Sequence, residues 1–405
     1  MPTSPGRNHR VVSGMRPTGQ LHLGNYHGAL ANWVELQYRY ECFFFVADWH
    51  ALTTAYENTE DLRANTNEVL VDWLAAGLNP TACTIFVQSR VPEHAELHLI
   101  LSMVTPVSWL ERVPTYKDQM EQLKDKDLST YGFLGYPLLQ SADILVYRPE
   151  YVPVGEDQVA HVEITREIAR RFNHIFGREP DFEARVASAV KRLGSRNGPQ
   201  YDELRRKFQE QGDHEALAKA RAMIASGSRL TVADRERLLG HLEGGGRSVL
   251  PEPSVLLTKT PKVPGLDGRK MSKSYGNTIG LREEPASVEK KLKGMVTDPA
   301  RVRRSDPGDP DKCPVWDLHK IYSNDKTQAW VQNGCRTAGI GCLDCKKPLT
   351  ESVLKQLEGF RQRAREYEEN PELVRGIVAE GCERAREAAR ATMAEVREAV
   401  RLEYR

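Results

Sequence analysis

Two stretches of this chain are equipped to handle a polyphosphate: His22-Leu23-Gly24-Asn25 and Lys270-Met271-Ser272-Lys273-Ser274. In the first, the histidine ring offers an N–H to phosphate oxygens, and Gly24 lets a nucleotide approach the backbone with no Cβ in the way. The stretch opens a helix, whose unpaired N–H groups and positive dipole end favour an anion. In the second, two lysines flank small hydroxyl residues in a Gly/Ser-rich loop. Such a loop is a flexible cationic clamp that follows charge as it builds on a triphosphate during in-line displacement. Each has a plainer reading, a βα turn with conformational glycines and an exposed polar loop. Their occurrence in one chain favours the chemical one.

Three further groups qualify. Asp143 lies inside Tyr136–Leu145, a run with helical spacing and an otherwise apolar setting. It is either a capping residue with a backbone partner or a buried acceptor for a ligand N–H or O–H, because a lone buried carboxylate is costly. Gly155-Glu156-Asp157-Gln158 precedes the helical pattern His161–Asn173 and by itself reads as a helix cap. Cys313, Cys335, Cys342 and Cys345 are separated by 21, 6 and 2 residues. With one Cys-x-x-Cys pair, a zinc ribbon fits less well than an iron–sulfur arrangement, three thiols on one glycine-containing loop plus one from an earlier helix. Cys42, Cys83 and Cys382 read as core residues.

The elements that must position these groups alternate. Val11-Val12 reads as a short strand, followed by a turn with Gly14, Pro17 and Gly19 and a helix carried by Tyr26, Leu30, Trp33, Val34 and Gln37. Cys42–Ala47 is a continuous apolar run, a strand buried on both faces. A helix over Thr59–Ala76, a strand at Thr84–Val87 and a helix over Ala95–Met103 follow. The spacing predicts an α/β fold with a doubly wound parallel sheet, in which ligands sit beyond the carboxyl ends of the strands where the order reverses. His50, read as the end of its strand, falls in that zone; a hydrogen-bonded strand-end histidine is the equal alternative. Between 177 and 250, charged residues and Gly/Ser breaks mark an inserted helical lobe. Ser254–Leu257 returns to strand, and the loop Pro261–Asp267 leads to the lysines. Beyond Glu284 the pattern is helical (Ser287–Val296, Cys313–Ser323, Leu349–Asn370, Pro371–Tyr404), a C-terminal all-helical domain. The expected division is 1–176, 177–250, 251–283 and 284–405: first catalytic part, insertion, catalytic completion, helical domain.

The totals bound the class. The net charge is +1, so no global field points to a polyanion, and one would be met by local patches such as Lys290-Lys291-Leu292-Lys293. No apolar run reaches the ~20 residues of a bilayer span, and no secretory segment opens the chain, which implies no membrane and a cytoplasmic protein with reduced thiols.

Together the two anchor stretches resemble the signatures of class I aminoacyl-tRNA synthetases, and the wording around them resembles the tryptophanyl-tRNA synthetase family. The matching stretches are Ser13–Leu30, Ala47–Thr53, Tyr136–Leu145, Val152–Phe172 and Leu256–Asn277. The cysteine spacing resembles the branch of that family holding a 4Fe-4S cluster, with Zn2+ the alternative. The resemblance implies a Rossmann-like fold, and ATP cradled by Arg16, Pro17, Thr18, Gly24, Asn25, Gly155, Glu156, Asp157, Val263 and Met271. It implies His22, Asn25, Lys270 and Lys273 as catalytic residues, Ser272 and Ser274 beside them, and Mg2+ on the leaving pyrophosphate. For L-tryptophan it implies Asp143 as acceptor of the indole N–H, Tyr136 and Gln158 at the amino group, and His50, Gln140 and Ile144 around them. It further implies tRNA(Trp) as partner and a homodimer. A tyrosyl-tRNA synthetase is the nearest alternative, because a phenol O–H also donates to Asp143; a non-catalytic tRNA-binding paralogue would need neither Asp143 nor the lysine loop. The fourth signature residue, Asn25 rather than His, transfers part of the phosphate contact to an amide.

Overall fold

The computed structural model describes residues 9–114, 116, 128–177, 181–258 and 263–403. Five strands form one sheet: β1 (Arg10–Met15), β2 (Glu41–Val46), β3 (Thr84–Val87), β4 (Tyr151–Val154) and β5 (Ser254–Leu257), in the order β3-β2-β1-β4-β5. β1 pairs in parallel with β2, and β2 with β3. The sheet is the parallel, doubly wound one expected. Cys42 to Val46 are all buried, which is why β2 reads as unbroken apolar sequence. Gly14 faces Phe45 across the register, and a Cβ there would lie 2.4 Å from the Phe45 ring, so the pairing demands glycine. The winding reverses between β1 and β4, and the turns that follow these two strands are the ligand zone of such a sheet.

The chain divides into two compact units. The first comprises 1–90, 153–157 and 256–385. Here Trp33 stacks on Phe44 at 4.6 Å and meets Trp73 edge-on at 5.2 Å, tying the first helix and helix α1 (Leu62–Ala76) to β2.

The second comprises 91–152, 158–255 and 386–405. It contains α2 (Glu93–Ser102), α3 (Tyr136–Leu145), the helix Val159–Phe176 and the lobe between Phe182 and Leu242. The lobe's helices enclose a core of their own, built on Tyr201, Leu238, Leu242 and Ile224. The Tyr201 hydroxyl donates to the Leu238 carbonyl at 2.7 Å.

After the lysine loop the described residues are helical, with Pro285–Gly294, α4 (Pro314–Tyr322), Asp325–Arg336, α5 (Cys342–Glu369) and α6 (Pro371–Val400). α5, in the first unit, has 28 residues, about 42 Å at 1.5 Å per residue, and packs along α1. Its buried stripe, Leu349, Val353, Leu357, Phe360 and Ala364, has the three- and four-residue spacing of one helical face. Within the first unit, α6 comes so near β3 that a Cβ on Gly381 would lie 1.8 Å from the Ile85 carbonyl oxygen. That approach covers an edge strand, which would otherwise offer unpaired backbone groups. Within the second unit, Arg390 and Arg397 on α6 pair with Glu93 and Glu96 on α2.

Some expectations are corrected. His50 is not a strand end, because β2 stops at Val46 and the helix Asp48–Ala55 begins at once; His50 lies in its first turn, half-buried. The helix expected from Leu349 begins seven residues earlier, at Cys342, because Gly341 acts as its cap and donates its N–H to Asp344 at 2.9 Å. Pro261, at the start of the lysine-loop segment, and Tyr404, the expected helix end, lie outside the described residues.

Candidate active site

β1 delivers the chain to a turn in which Pro17 is buried and Arg16 and Thr18 are exposed. Gly19 has φ +87°, a left-handed conformation that favours glycine. His22 then caps the helix Leu23–Asn25 reciprocally: its Nδ1 accepts the Asn25 N–H at 3.3 Å, and Asn25 Oδ1 accepts the His22 N–H at 3.1 Å. An imidazole that accepts through Nδ1 carries its proton on Nε2 when neutral. Burial, with the nearby charge of Lys273, pulls the His22 pKa down to about 4, so the ring is a neutral N–H donor at physiological pH. The next turn, Tyr26–Leu30, is a π-helix, a local widening common at functional sites. It brings Tyr26 within 4.8 Å of Phe360 on α5, and His27 within 2.8 Å of the Tyr322 hydroxyl at the end of α4.

The lysine loop closes on the turn after β1 from 255 residues away. Lys273 Nζ donates to the Thr18 carbonyl at 2.5 Å. Met271 is buried; a Cβ on Gly24 would lie 2.9 Å from His22 Nδ1 and 3.3 Å from the Met271 Cβ, so glycine first leaves room for the His22 cap and then for the lysine loop. Backbone pairing fixes the join, with Leu23 N–H to the Ile279 carbonyl at 3.0 Å and Leu281 N–H to the Leu21 carbonyl at 2.9 Å. Asn277, buried, shapes the loop: it accepts the Ser272 N–H at 2.8 Å and donates to Asp267 at 2.7 Å. Ser272 and Ser274 share a hydroxyl contact at 2.8 Å, Val263 is buried beside Met271 through the Met271 N–H, and Lys270 is exposed. Gly155 and Glu156 follow β4 directly, where the Val154 carbonyl accepts the Thr258 N–H at 3.2 Å; the Asp157 side chain lies outside the described part.

The second unit carries the other candidates. Asp143, on α3, is buried to 1 % exposure and is no capping residue. Nor is it an acceptor still without a donor: His94 Nδ1 lies 2.7 Å from its Oδ1, and His94 Nε2 lies 2.7 Å from the Tyr147 hydroxyl. With the imidazole proton on Nδ1, His94 donates to the carboxylate and accepts from Tyr147. Ile144 and Tyr136 are buried, and the Tyr136 ring lies 5.9 Å from that of His161; Gln140 and Gln158 are half-buried.

The family model for class I tRNA synthetases (W and Y) matches residues 4–198 and 230–358. This chain belongs to that family. The part of the synthetase between the matches, 199–229, falls inside the helical lobe. The tryptophan–tRNA ligase of Ralstonia nicotianae is 62% identical over 395 residues, covering 98% of this chain and 99% of its own. That of Thermotoga maritima is 45% identical over 397 residues, covering 98% and 100%. A solved tryptophanyl-tRNA synthetase from Campylobacter jejuni, complexed with ADP and tryptophan, is 28% identical with a TM-score of 0.70, covering 96% of this chain and 99% of that one.

In this synthetase the cysteines do not share one loop. Cys313 precedes α4, Cys335 closes the helix Asp325–Arg336, and Cys342 and Cys345 lie in the first turn of α5, so the irregular segment is only 337–341. Burial and the charge of the other three thiols push Cys345 up to about 12; burial also raises Cys313 and Cys335. Arg301 donates to Cys335 Sγ at 3.8 Å, and Cys345 Sγ lies 3.4 Å from His319 Nε2. Among the described residues no three His, Cys, Asp or Glu side chains converge as a metal-binding group.

Sequence reasoning missed His94, Tyr147, Asn277, Asp72 and Arg282. Asp72 carried a legible signal, an acidic residue within Val69-Leu70-Val71-Asp72-Trp73-Leu74, on the buried side of its helix.

Proposed function

We propose that this chain is a tryptophan–tRNA ligase, which activates L-tryptophan with ATP and passes it to tRNA(Trp). The observation that carries the reading is the closure of Lys273 on the turn that opens the His22 helix, together with the full-length likeness to tryptophan–tRNA ligases. The tryptophan carboxylate attacks the α-phosphate of ATP, tryptophanyl-adenylate forms and pyrophosphate leaves. A tRNA hydroxyl then takes the acyl group and releases AMP. No covalent enzyme intermediate is required, so catalysis rests on positioning and charge stabilisation. His22 Nε2–H and the Asn25 amide donate to phosphate oxygens, and Lys270 and Lys273 stabilise the leaving pyrophosphate. Arg16, Pro17, Thr18, Gly24, Ser272 and Ser274 line the phosphate path. Gly155, Glu156 and Asp157 serve the ribose, and Val263 and Met271 the adenine. Mg2+ arrives on the triphosphate and neutralises its charge; the lysines and amides of the signatures suit a metal carried by substrate oxygens rather than by a carboxylate cage.

Asp143 accepts the indole N–H, Tyr136 and Gln158 hold the amino group, and His50, Gln140 and Ile144 shape the tryptophan site. The tyrosyl alternative is weaker, because the tyrosyl-tRNA synthetase from Archaeoglobus fulgidus shares only 18% identity and so speaks to the fold alone. A non-catalytic paralogue has no use for the lysine closure. For the four cysteines we read a 4Fe-4S cluster in preference to Zn2+. The support for this reading is the spacing of the four thiols, 21, 6 and 2 residues, which resembles the cluster-binding branch of the family. Bound, the cluster would pin the starts of α4 and α5. The helical domain, 284–405, would bind tRNA, the lobe at 177–250 is an insertion in the catalytic domain, and the active species would be a cytoplasmic homodimer.

The test is amino-acid-dependent ATP–pyrophosphate exchange across all twenty amino acids. Tryptophan alone should support exchange. Lys273→Ala should slow it by orders of magnitude with tryptophan binding kept, and Asp143→Ala should raise the KM for tryptophan with that for ATP nearly unchanged. Exchange driven equally by tyrosine would overturn the assignment. For the metal, absorbance near 400 nm with iron and sulfide in the anaerobic protein is expected; a colourless protein with stoichiometric zinc would reverse the choice.

A further inference from the structure

Arg282 is a buried cation held by three acids from two helices, and nothing in the reaction described above uses it. Its guanidinium side chain is 7 % exposed. Nε donates to Asp72 Oδ1 at 2.6 Å, one terminal nitrogen donates to Glu68, also on α1, and the other to Glu368 on α5. The second oxygen of Asp72, Oδ2, accepts the Leu21 N–H at 2.6 Å, and the Leu21 carbonyl accepts the Leu281 N–H at 2.9 Å. Leu281 is the neighbour of Arg282. The result is a closed ring, Leu21–Asp72–Arg282–Leu281 and back to Leu21, around the residue that precedes His22.

Two more contacts lead from this ring. Lys273 feels the negative charge of Asp72 and Glu68, which opposes the cost of its burial. α5 also grips the segment just after Arg282, with Arg361 donating to the Glu283 carbonyl at 2.9 Å. Arg361 and Glu368 are seven residues apart and therefore share a helix face. An arginine fork with several carboxylates on a fixed backbone defines geometry as well as charge.

We propose that Asp72 and Arg282 are positioning residues for amino-acid activation, setting the height of the His22 turn against the segment that follows the lysine loop, with Glu368 extending that control to α5. This deepens the reading given under the proposed function and rests on it. The ring does not touch the nucleotide; it acts through the Leu21 amide and the Leu281 pairing. Its loss loosens the ATP turn and leaves amino-acid binding alone.

The experiment uses the full-length protein with Arg282→Lys, Asp72→Asn and Glu368→Gln. Three readouts are taken: the KM values for ATP and tryptophan in pyrophosphate exchange, direct binding of a non-hydrolysable ATP analogue, and the melting temperature. Arg282→Lys keeps the charge and loses the fork, so ATP KM should rise about tenfold, the scale of one charged hydrogen bond. Glu368→Gln, at an exposed position that the fold tolerates, should raise it roughly two- to threefold. Tryptophan KM should stay within twofold in both. A lowered melting temperature with ATP affinity unchanged, or equal losses for both substrates, would overturn the proposal. Glu368→Gln decides the matter if the buried variants do not fold. If the wild-type protein activates another amino acid, the function reading fails, while analogue binding still tests the ring.

Discussion

At the scale of single residues, the chemistry depends on groups held in one orientation by their surroundings. His94 is the clearest case: fully buried, it bridges Asp143 and Tyr147, so the carboxylate is oriented before any ligand arrives. Removing it strands a buried charge, a penalty of about 1–3 kcal/mol or more. We expect His94→Ala to raise the tryptophan KM roughly tenfold with ATP KM unchanged, and Tyr147→Phe to do so by less, both read in pyrophosphate exchange. Equal changes for the two substrates would dismiss the role. This pair was hidden in the sequence because residues 49 and 53 positions apart meet only through packing. The signatures themselves were legible, since their residues are neighbours in the chain and their types already dictate phosphate chemistry. Asp143 was half legible. Its oddity on an apolar helix was plain, but its partner was not.

At the scale of elements, periodicity told most of the story. β2, β3, β5 and the helix ending at Ala76 fall where apolar patterning puts them, as does the start of α6 at Pro371, whereas the start of α5 does not. Cys342 begins α5 because a glycine cap and an aspartate set the first turn, and a reading based on apolar spacing waits for Leu349. The contact of α6 with β3 was likewise invisible, because Gly381 looks like a weakness inside a helix until the strand it meets is known. A methyl group there would sit 1.8 Å from a backbone oxygen that cannot yield like a side chain. Gly381→Ala should therefore destabilise the protein by several kcal/mol, about the scale of overpacking, although alanine is the better helix former by about 1 kcal/mol. Urea unfolding checks this; a stabilised variant would mean that the helix and strand are not in contact.

At the scale of the whole molecule, acid stability sums buried groups of opposite sign. Burial pulls His22 and His27 down to about 4, so each is neutral in the fold while the unfolded chain takes a proton near 6.5. Their contribution is complete above 6.5 and is lost as the pH falls from there towards 4. Asp72 runs the other way. Burial pushes its carboxyl up to about 6 against the pull of Arg282, so the fold takes its proton first and gains relative stability as the pH falls from 6 towards 3.8. His319, which burial also pulls down to about 4, adds to the two histidines against the one carboxyl, so the urea midpoint should decline between pH 6.5 and 5, and His27→Gln should flatten that decline. A midpoint that rises over this interval would contradict the balance. One architectural fact also bears on how the protein is made. The helix segment that shields strand Thr84–Val87 is encoded almost 300 residues after it, so at ~5–20 residues per second a ribosome leaves that rim bare for roughly 15–60 seconds. Any nascent chain halted before Gly381 carries a sticky border, which makes premature termination here a matter for chaperones rather than merely of lost activity.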